Sequence, residues 1–377
     1  MPGAEVLSNE TPLVGELEPD ELQWTRDHVQ ILSLKMSHHA SASGYDRIAD
    51  YLQCPSVDPF VRSAAVRQQI AKLLARMIQQ SGSLWYNRAS AMLELDGAIA
   101  SLRDRKKIYH YLYGENCYRY LSRARSFLPS KGALIATYHT PPERFTEVIT
   151  KRRHVSRLDG AILMSNAQRP AFQGLLPAER LHFIPHGVDT EYFRPADVRH
   201  SNKGTEKVRF FCAGRMLRDY PTLVEAAAIL QALKAPIEIV ILATRETGQL
   251  FAEQDNVELY SGVCDVQLLE LYQGCDALVM PLTDCTANNV LLEGLACGLG
   301  VVATDLQGVR DYTTDSCCEL VEARNAEALA SAMLLLANDS ERLEQMGRAA
   351  RQQALELSWP NIARRHISLY RQLGTAG

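Results

Sequence analysis

Three polar residues stand where a short apolar segment begins, in a pattern that could bind a nucleotide. Asn288 and Asn289 start a periodic segment that ends near Cys297, and Glu293 follows Asn289 by four residues. In a helix this spacing places Glu293 one turn inside, on the same face as Asn289. The amides of the first turn, including that of Val290, and the positive end of the helix dipole favour an anion such as a diphosphate. The carboxylate could then accept hydrogen bonds from ribose hydroxyls; a capped helix with a surface glutamate is the alternative.

The elements around this segment indicate how it is held. The apolar run 277–281 is short enough for a buried strand, and the polar stretch 283–287 is a loop. Gly298 stands where a helix commonly ends, and residues 301–303 are typical of the next strand. A strand, loop, helix and strand in this order predict a parallel sheet.

The same stretch resembles the nucleotide-sugar site of family-4 retaining glycosyltransferases, which have the two-domain GT-B fold. The family pattern is Glu, seven residues, Glu, and then Ala-Met-Ala-Cys-Gly-x-Pro-Val-Val-Ala-Thr. This chain has Glu293, followed by Gly-Leu-Ala-Cys-Gly and, after two residues, by Val-Val-Ala-Thr. The resemblance implies that Glu293 contacts the ribose. The chain departs from the pattern at the first glutamate, where Cys285 stands beside Asp284, and Asn288 and Asn289 replace the usual Gly-Leu.

Two arginines follow the predicted strand 208–213 and precede the predicted helix 223–233. Guanidinium groups at such a loop would bind phosphates, and two solvated loop arginines are the alternative. The family has Gly-Arg and then a lysine here, so the resemblance implies that Arg215 and Arg218 grip the diphosphate. It also implies that Val263, which follows Gly262, presents its backbone to the nucleotide base.

The N-terminal half supplies further candidates at the predicted carboxyl ends of strands, where open α/β sheets bind ligands. A loop of small residues, 37–44, follows the predicted strand 29–36, and the resemblance places Ser43 and Gly44 in the cleft between the domains. Glu115 follows the predicted strand 107–112 and is either an acceptor contact or a first-turn acid that complements a helix dipole.

A single histidine ends another predicted strand. His139 follows the apolar run 133–138 and precedes two prolines. A lone histidine is more often structural than catalytic. The segment resembles the family's Ala-Thr-x-His-Thr element, which implies that His139 contacts the donor sugar or the transition state.

The strand and helix assignments predict an α/β protein, and the resemblance implies the GT-B type, with two Rossmann-like domains facing across a cleft. Residues 1–27 are predicted to be a flexible acidic tail and residues 28–198 an acceptor domain. Residues 199–207 are a predicted linker, residues 208–358 a nucleotide-sugar domain, and residues 359–377 a helix that packs back on the first domain.

Composition limits the remaining possibilities. The 377 residues suggest two domains, and the net charge of −4 gives no reason to expect a nucleic-acid partner. No apolar run is long enough to span a bilayer, and no basic-then-apolar signal opens the chain. Nine cysteines without a Cys-x-x-Cys pair favour reduced thiols and a cytoplasmic location. The basic run 151–154 could face an anionic membrane or a lipid acceptor, and a solvated helix end is the alternative.

The family resemblance therefore implies retaining transfer of a sugar from a UDP- or GDP-linked donor to a small-molecule, glycan or lipid acceptor. No Asp-x-Asp occurs, so neither a metal nor another cofactor is expected. Two alternatives are a sugar-nucleotide epimerase or isomerase of the same fold and, because of Cys285, a catalytically weak nucleotide-sugar-binding protein. No Gly-x-Gly-x-x-Gly follows any predicted strand, which disfavours a dinucleotide-dependent oxidoreductase.

Overall fold

The computed structural model describes residues 15–34, 42–54, 65–80, 84–103, 108–121, 132–197 and 207–375. Within these residues the chain forms two parallel sheets, and this confirms the predicted pair of α/β domains. Residues 37–41 of the small-residue loop, residues 199–206 of the linker and residues 1–14 of the tail lie outside the described part.

The first sheet contains five strands, ordered β1-β2-β3-β4-β5. They are β1 (Val29–Leu32), β2 (Ile108–Tyr111), β3 (Ala133–Tyr138), β4 (Gly160–Leu163) and β5 (Leu181–Phe183). Ile108 pairs in register with Val29 on one side and with Ala133 on the other. The three central strands are buried along their whole length, as expected for a sheet covered on both faces.

The second sheet contains six strands, ordered β11-β10-β9-β6-β7-β8. They are β6 (Val208–Ala213), β7 (Ile237–Leu242), β8 (Val257–Tyr260), β9 (Ala277–Met280), β10 (Gly300–Thr304) and β11 (Cys318–Val321). The chain starts in the middle with β6, builds outward through β7 and β8, and then returns to place β9 on the other side of β6. The strand order therefore reverses between β6 and β9.

Helices cover both sheets. The first half of the described chain contains α1 (Pro19–His28), α2 (Arg47–Tyr51), α3 (Ala65–Gln80), α4 (Arg88–Arg103), α5 (Gly114–Cys117) and α6 (Pro142–Val148). The second half contains α7 (Tyr220–Ala232), α8 (Arg245–Gly248), α9 (Asp265–Gln273), α10 (Asn289–Ala296), α11 (Gln307–Arg310), α12 (Ala326–Ala337), α13 (Ser340–Glu356) and α14 (Trp359–Thr375).

The apolar runs predicted the strands closely. β3 and β6 have the predicted bounds, and β1, β2, β9 and β10 agree with the predicted strands to within a few residues. The strand β11 and the helix α13 were not predicted. Asp339 caps α13 by accepting a hydrogen bond from the amide of Arg342.

The predicted flexible tail is wrong over its last part, because α1 occupies residues that were assigned to it. Pro19 fits the first turn of α1, and Glu18 and Glu21 form a reciprocal capping box there. The helix is also tied to the far end of the chain. Arg364 lies 4.0 Å from Glu21, and the guanidinium of Arg371 sits 5.4 Å from the ring centre of Trp24. Local composition does not reveal such contacts.

The last helix packs back on the first domain, as predicted. Trp359 at the start of α14 is 1% exposed, and its ring lies where a side chain on residue 187 would stand. A Cβ added to Gly187 would come within 2.3 Å of that ring, so only glycine fits. Val188 and Trp359 also exchange main-chain contacts, since the Trp359 amide donates to the Val188 carbonyl at 3.2 Å.

Candidate functional site

The carboxyl ends of β6 and β9 meet where the second sheet reverses its strand order. Open parallel sheets bind ligands at such a point, because the two loops diverge and leave a crevice. The loop after β6, residues 214–219, is bonded to the loop after β9. The Asp219 amide donates to the Pro281 carbonyl at 2.9 Å, and the Thr283 amide donates to the Leu217 carbonyl at 3.1 Å. The two predicted phosphate-binding segments therefore lie side by side.

Glu293 lies inside the second turn of α10 and is 5% exposed, so the alternative of a surface glutamate is wrong. Its Oε1 accepts a hydrogen bond from Ser43 Oγ at 2.5 Å, and its Oε2 accepts one from Tyr272 Oη at 2.7 Å. Burial, followed by the nearby Glu293 charge, raises the pKa of Tyr272 well above its usual value. Tyr272 therefore stays protonated and serves as a donor to the carboxylate.

The start of α10 is capped by its own side chain. Asn288 Oδ1 accepts hydrogen bonds from the amides of Val290 at 3.1 Å and Leu291 at 3.4 Å. We predicted that the first-turn amides are available to bind an anion. In the structure the amide of Val290 instead donates a hydrogen bond to Asn288. An N-cap asparagine satisfies helix-start donors in this way when no ligand is bound. Asn289, the first residue of the helix, lines a small cavity next to Glu293.

The two predicted arginines occupy different environments. Arg218 donates to the Ala213 carbonyl at 2.7 Å, the Met216 carbonyl at 3.1 Å and Asn288 Oδ1 at 3.2 Å. These three acceptors are neutral, so none of them cancels the charge of the guanidinium. Arg215 is exposed at the outer side of the same loop. The structure thus brings Arg218 to the start of α10 and leaves Arg215 facing solvent.

Backbone conformation explains how the short loop delivers Arg218. Gly214 has φ +109° and Leu217 has φ +58°, both in the left-handed region. A Cβ on Gly214 would come within 2.6 Å of the Arg218 guanidinium. Glycine is therefore required at 214, whereas Leu217 holds a conformation that costs about 1 kcal/mol for a residue with a side chain.

The first-domain loop meets α10 across the cleft. Gly44 has φ +103°, which lets the chain turn between Ser43 and the buried Tyr45. Ser43, Gly44, Asn289 and Glu293 line a cavity of about 10 Å³. Such a space holds at most about one water molecule. A ribose can reach Glu293 only if this loop and α10 move apart.

His139 is fixed at the end of β3 by three polar contacts. Its amide donates to Glu115 Oε1 at 2.8 Å, and its carbonyl accepts from Thr286 Oγ1 of the second domain at 2.7 Å. Its Nε2 lies 2.8 Å from the Leu112 carbonyl, which can only accept, so Nε2 carries the proton. The ring also meets the ring of Tyr45 edge-on, with centres 4.9 Å apart. His139 therefore sits where the two domains touch.

Glu115 has a role that the sequence did not indicate. Its Oε1 accepts from the His139 amide and from Thr140 Oγ1, both at 2.8 Å, and the residue is 4% exposed. Its Oε2 is buried and has no hydrogen-bond partner among the described residues. Glu115 holds the loop that carries His139, and its contact with an acceptor stays a prediction.

Cys285, at the position where the chain departs from the family pattern, is a buried thiol. It is 3% exposed, and its Sγ donates to the Thr286 carbonyl at 3.0 Å. Burial raises its pKa to about 12, so the thiol stays neutral at physiological pH. The neighbouring Asp284 is half-buried, and burial, with a further contribution from Glu143 of the first domain, raises the pKa of its carboxyl group. The site therefore has a thiol at residue 285 and a carboxylate one residue earlier.

Two residues that the sequence did not single out as functional join the domains. Asp311 accepts hydrogen bonds from Ser165 Oγ at 2.6 Å and from the Asn166 amide at 2.7 Å. Tyr312 Oη donates to the Met164 carbonyl at 2.7 Å. The partners are nearly 150 residues apart in the chain, so no local pattern could have revealed these contacts.

The base-binding prediction falls on an open part of the second domain. Gly262 has φ +67°, and space for a Cβ surrounds it, so its conformation and not crowding favours glycine. Val263 is half-buried beside it. A pocket of about 330 Å³ lies nearby at the ends of β7 and β8, lined by residues that include Thr244, Arg245 and Ser261. Val263 is not among the residues that line this pocket.

A buried chain of hydrogen bonds supports the first-domain side of the cleft. His110 bonds Tyr370 Oη at 2.6 Å through Nδ1 and Thr137 Oγ1 at 2.7 Å through Nε2. Tyr45 Oη lies 3.3 Å from Thr137 Oγ1 and 2.7 Å from His366 Nε2. His366 Nδ1 bonds a carbonyl one turn earlier in α14, which can only accept. Neutral His366 therefore accepts from Tyr45 through Nε2, and α14 fixes the residue next to Gly44.

Comparison with known proteins finds a family model that matches most of the second domain. Residues 207–339 match the family model described as Glycosyl transferases group 1. A D-inositol 3-phosphate glycosyltransferase of Paenarthrobacter aurescens (strain TC1) is 30% identical over 213 residues, which cover 52% of each chain. The chain spans about half the length of the first curated relatives that it matches.

Two solved structures share the fold. Sucrose-phosphate synthase from Thermosynechococcus elongatus has a TM-score of 0.63 at 18% identity, over 77% of this chain and 79% of that one. Anabaena HepE in complex with UDP-glucose has a TM-score of 0.62 at 13% identity, over 91% of this chain and 99% of that one. These likenesses confirm the predicted GT-B fold. Among the described residues, no helix is long and apolar enough to span a membrane.

Proposed function

We propose that this chain, whose C-terminal domain belongs to the glycosyl transferases of group 1, transfers a sugar from a nucleotide-diphosphate donor to an acceptor hydroxyl. The observation that carries the proposal is the arrangement at α10. A buried carboxylate, Glu293, lies one turn inside the helix, and Arg218 bonds Asn288, which caps its start. The acceptors that Arg218 bonds, on Ala213, Met216 and Asn288, are all neutral. A ribose needs a hydrogen-bond acceptor and its attached diphosphate needs a cation, and Glu293 and Arg218 supply these two groups at the same helix.

Glu293 is the proposed ribose contact. Its two oxygens accept hydrogen bonds from the hydroxyls of Ser43 and Tyr272, and ribose hydroxyls are donors of the same kind. A ribose would replace the hydroxyl of Ser43, which belongs to the opposite domain, while Tyr272 continues to orient the carboxylate. This exchange requires the cleft to open before the donor enters.

Arg218 and Arg215 are the proposed diphosphate contacts. The diphosphate gains negative charge as the bond to the sugar breaks. A cation that is already in place therefore stabilises the transition state more than it stabilises the bound donor. Arg218 is held by two carbonyls and by Asn288, while Arg215 is exposed and is expected to reach the phosphates from the open side. When the diphosphate binds, Asn288 is expected to release the amides at the start of α10 near Asn289 and Val290.

His139 and the first-domain loop are the proposed contacts of the transferred sugar. His139 is held at the cleft by Glu115 and Thr286, and its ring packs against that of Tyr45. Gly44 allows the main chain to approach the donor closely, and Val263 is the proposed contact of the base. We further propose that the reaction retains the anomeric configuration, as the family resemblance implies. We also propose that it needs no metal, because the sequence contains no Asp-x-Asp.

The donor is proposed to be UDP- or GDP-linked. The structure of Anabaena HepE holds UDP-glucose, which supports UDP for a chain of the same fold. The acceptor is proposed to be a small molecule, a glycan or a lipid that enters from the N-terminal domain. We also propose a cytoplasmic location, since all nine cysteines are free and eight of them are buried, which suits a reducing compartment.

The test is a binding titration of UDP, GDP and their sugars, with magnesium and with a chelator, followed by turnover with candidate acceptors. One diphosphate family should bind equally in both conditions. Glu293→Gln should weaken its binding at least about tenfold, because hydrogen bonds to a charged acceptor contribute ~1.5–3 kcal/mol. Glu327→Gln, on the exposed side of α12, is the matched control and should bind normally.

Each outcome bears on a different part of the proposal. Unchanged binding in folded Glu293→Gln would remove the ribose assignment. Donor conversion without any acceptor would favour an epimerase, whereas tight binding without turnover would favour the weak binding protein. The anomeric proton signal of the product, measured by NMR, decides between retention and inversion.

A further inference from the structure

The helix α3 exposes apolar side chains to solvent. Ile70, Leu73 and Met77 are 46%, 63% and 53% exposed. Their spacing places them on one side of the helix, opposite Ala71 and Ala75, which are buried against α4. Scattered apolar side chains on a surface need no explanation, but an aligned set indicates a binding face.

The same helix has a cationic flank. Lys72 and Arg76 are exposed next to the apolar side chains. The sequence of α3 contains no aspartate and no glutamate. An amphipathic helix with an apolar stripe and basic flanks is suited to the interface of an anionic bilayer.

A second apolar and basic pair lies nearby. Leu84 and Trp85 are 68% and 37% exposed, and the Leu84 amide donates to the Val148 carbonyl at the end of α6 at 3.3 Å. The basic run, residues 151–153, begins three residues after Val148. One acid, Glu147, is exposed beside it. Tryptophan is enriched where a protein meets the boundary of a membrane.

Buried contacts hold these two pieces in one part of the first domain. Tyr86, which follows Trp85, packs in the same apolar cluster as Ala75 of α3. The ring of Tyr86 meets the ring of Tyr120 edge-on, with centres 6.4 Å apart. Arg119, the neighbour of Tyr120, donates to the Lys151 carbonyl at 2.8 Å. The apolar face of α3 and the basic run are therefore linked through the same buried contacts, around Tyr86 and Tyr120.

We propose that this docking surface binds an anionic lipid bilayer. It consists of Ile70, Leu73, Met77, Leu84 and Trp85 together with Lys72, Arg76 and residues 151–153. Lys72, Arg76 and residues 151–153 supply five cations, and Glu143 and Glu147 are the exposed acids of the neighbouring α6. This excess of positive charge matches a negatively charged membrane and disfavours a second copy of the chain, whose cations would repel these. The inference is independent of the proposed enzymatic activity.

The experiment measures co-sedimentation of the full chain with lipid vesicles. Vesicles of phosphatidylcholine and phosphatidylglycerol in equal amounts should bind the protein, and pure phosphatidylcholine vesicles should bind at least about fivefold less. Added salt should weaken the binding, because exposed charges are screened. Absence of binding to the mixed vesicles, or equal binding to both compositions, would overturn the proposal.

Variants separate this surface from the rest of the molecule. Leu73→Glu with Met77→Glu should reduce binding roughly tenfold, since apolar area and favourable charge are lost together. The matched control is Leu335→Glu, which is 59% exposed on α12 of the second domain and should bind normally. Lys72→Glu with Arg76→Glu should also reduce binding, whereas the control Lys207→Glu should not. If the controls lost vesicle binding as much as the variants did, α3 would not be the membrane-binding surface.

Tryptophan fluorescence gives a second measurement on the unaltered chain. Of the three tryptophans, Trp359 is buried and Trp24 is partly buried, so Trp85 is the one placed to enter a bilayer. Mixed vesicles should shift the emission to shorter wavelength, and Trp85→Phe should abolish the shift. Light scattering tests the competing occupant: a dimer that Leu73→Glu converts to a monomer would assign the face to a second copy.

Discussion

Ser43 of the first domain donates a 2.5 Å hydrogen bond to Glu293 of the second domain, joining residues 250 positions apart. The proposed ribose acceptor is therefore occupied by a hydroxyl of the protein itself. Together with the cavity of about 10 Å³ between the same loop and α10, this defines a closed cleft. When the donor binds, a ribose hydroxyl must therefore replace the Ser43 hydroxyl at Glu293.

Replacing Ser43 tests this exchange. Ser43→Ala removes the hydroxyl that bonds Oε1 of buried Glu293, and the loss of a hydrogen bond to a charged group costs about 1.5–3 kcal/mol in the free protein. Thermal stability should therefore fall without ligand, and affinity for the nucleotide diphosphate should rise about threefold to tenfold, because a ribose no longer has to displace that hydroxyl. Calorimetric titration measures the affinity. Ser340→Ala, on the surface of α13, is the control, and weaker nucleotide binding by Ser43→Ala would contradict the exchange.

His139→Ala should separate turnover from donor binding. The imidazole belongs to the first domain, at the end of β3, so its loss should lower kcat by about 100-fold, a typical effect of one transition-state contact. The dissociation constant of the nucleotide diphosphate should change by less than about twofold. Turnover assays and titrations on the same preparation measure both, with His28→Ala as a control at the end of α1. Loss of both properties, or of neither, would argue against the assigned contact.

Cys285→Glu restores the residue type of the family pattern and tests whether the departure matters. The position is 3% exposed, and a Cβ on the adjacent Gly308 would come within 2.1 Å of the Cys285 carbonyl, so the segment is tightly packed. Burying an unpaired carboxylate there should lower the free energy of unfolding by at least about 2 kcal/mol. Chemical denaturation measures this change, and Cys285→Ser should cost less. A stable Cys285→Glu variant with higher turnover would show that residue 285 faces the donor sugar.

Stability should depend on pH through the buried histidines. Burial lowers the pKa of His366 to about 4 and the pKa of His110 below its usual value of 6.5. Between pH 6.5 and 4 the unfolded chain binds protons that folded His366 does not bind, so stability is complete above pH 6.5 and is lost as the pH falls. Each such histidine contributes a slope of about 1.4 kcal/mol per pH unit.

His366→Gln checks this dependence. Glutamine can still donate and accept hydrogen bonds but does not titrate, so denaturation midpoints of the variant should fall less steeply below pH 6.5. Above pH 7 the stability of the variant and the stability of the parent chain should change with pH in the same way. Equal slopes at acidic pH would mean that His366 is protonated in the folded chain.

Several elements could be predicted because their causes are local. The strand β3 is buried along its whole length and is an apolar run that polar residues follow, and β6 is a largely apolar run with one arginine; this pattern alone locates both. Glu293 was identified from its position four residues after the first residue of a capped helix. The helix α1 was missed although the capping box of Glu18 and Glu21 is local, whereas its contacts with Arg364 and Arg371 come from the other end of the chain and leave no local signal.

The sequence by itself determined the two α/β domains, the strand–loop–helix unit around α10 and the residue types of the candidate site, because hydrophobic period, caps and glycine positions act over a few neighbours. Only the tertiary structure decided that Ser43 and Tyr272 bind Glu293, that Asp311 and Tyr312 join the domains, and that α3 exposes Ile70, Leu73 and Met77. Those outcomes depend on the packing of segments far apart in the chain, which no local pattern records.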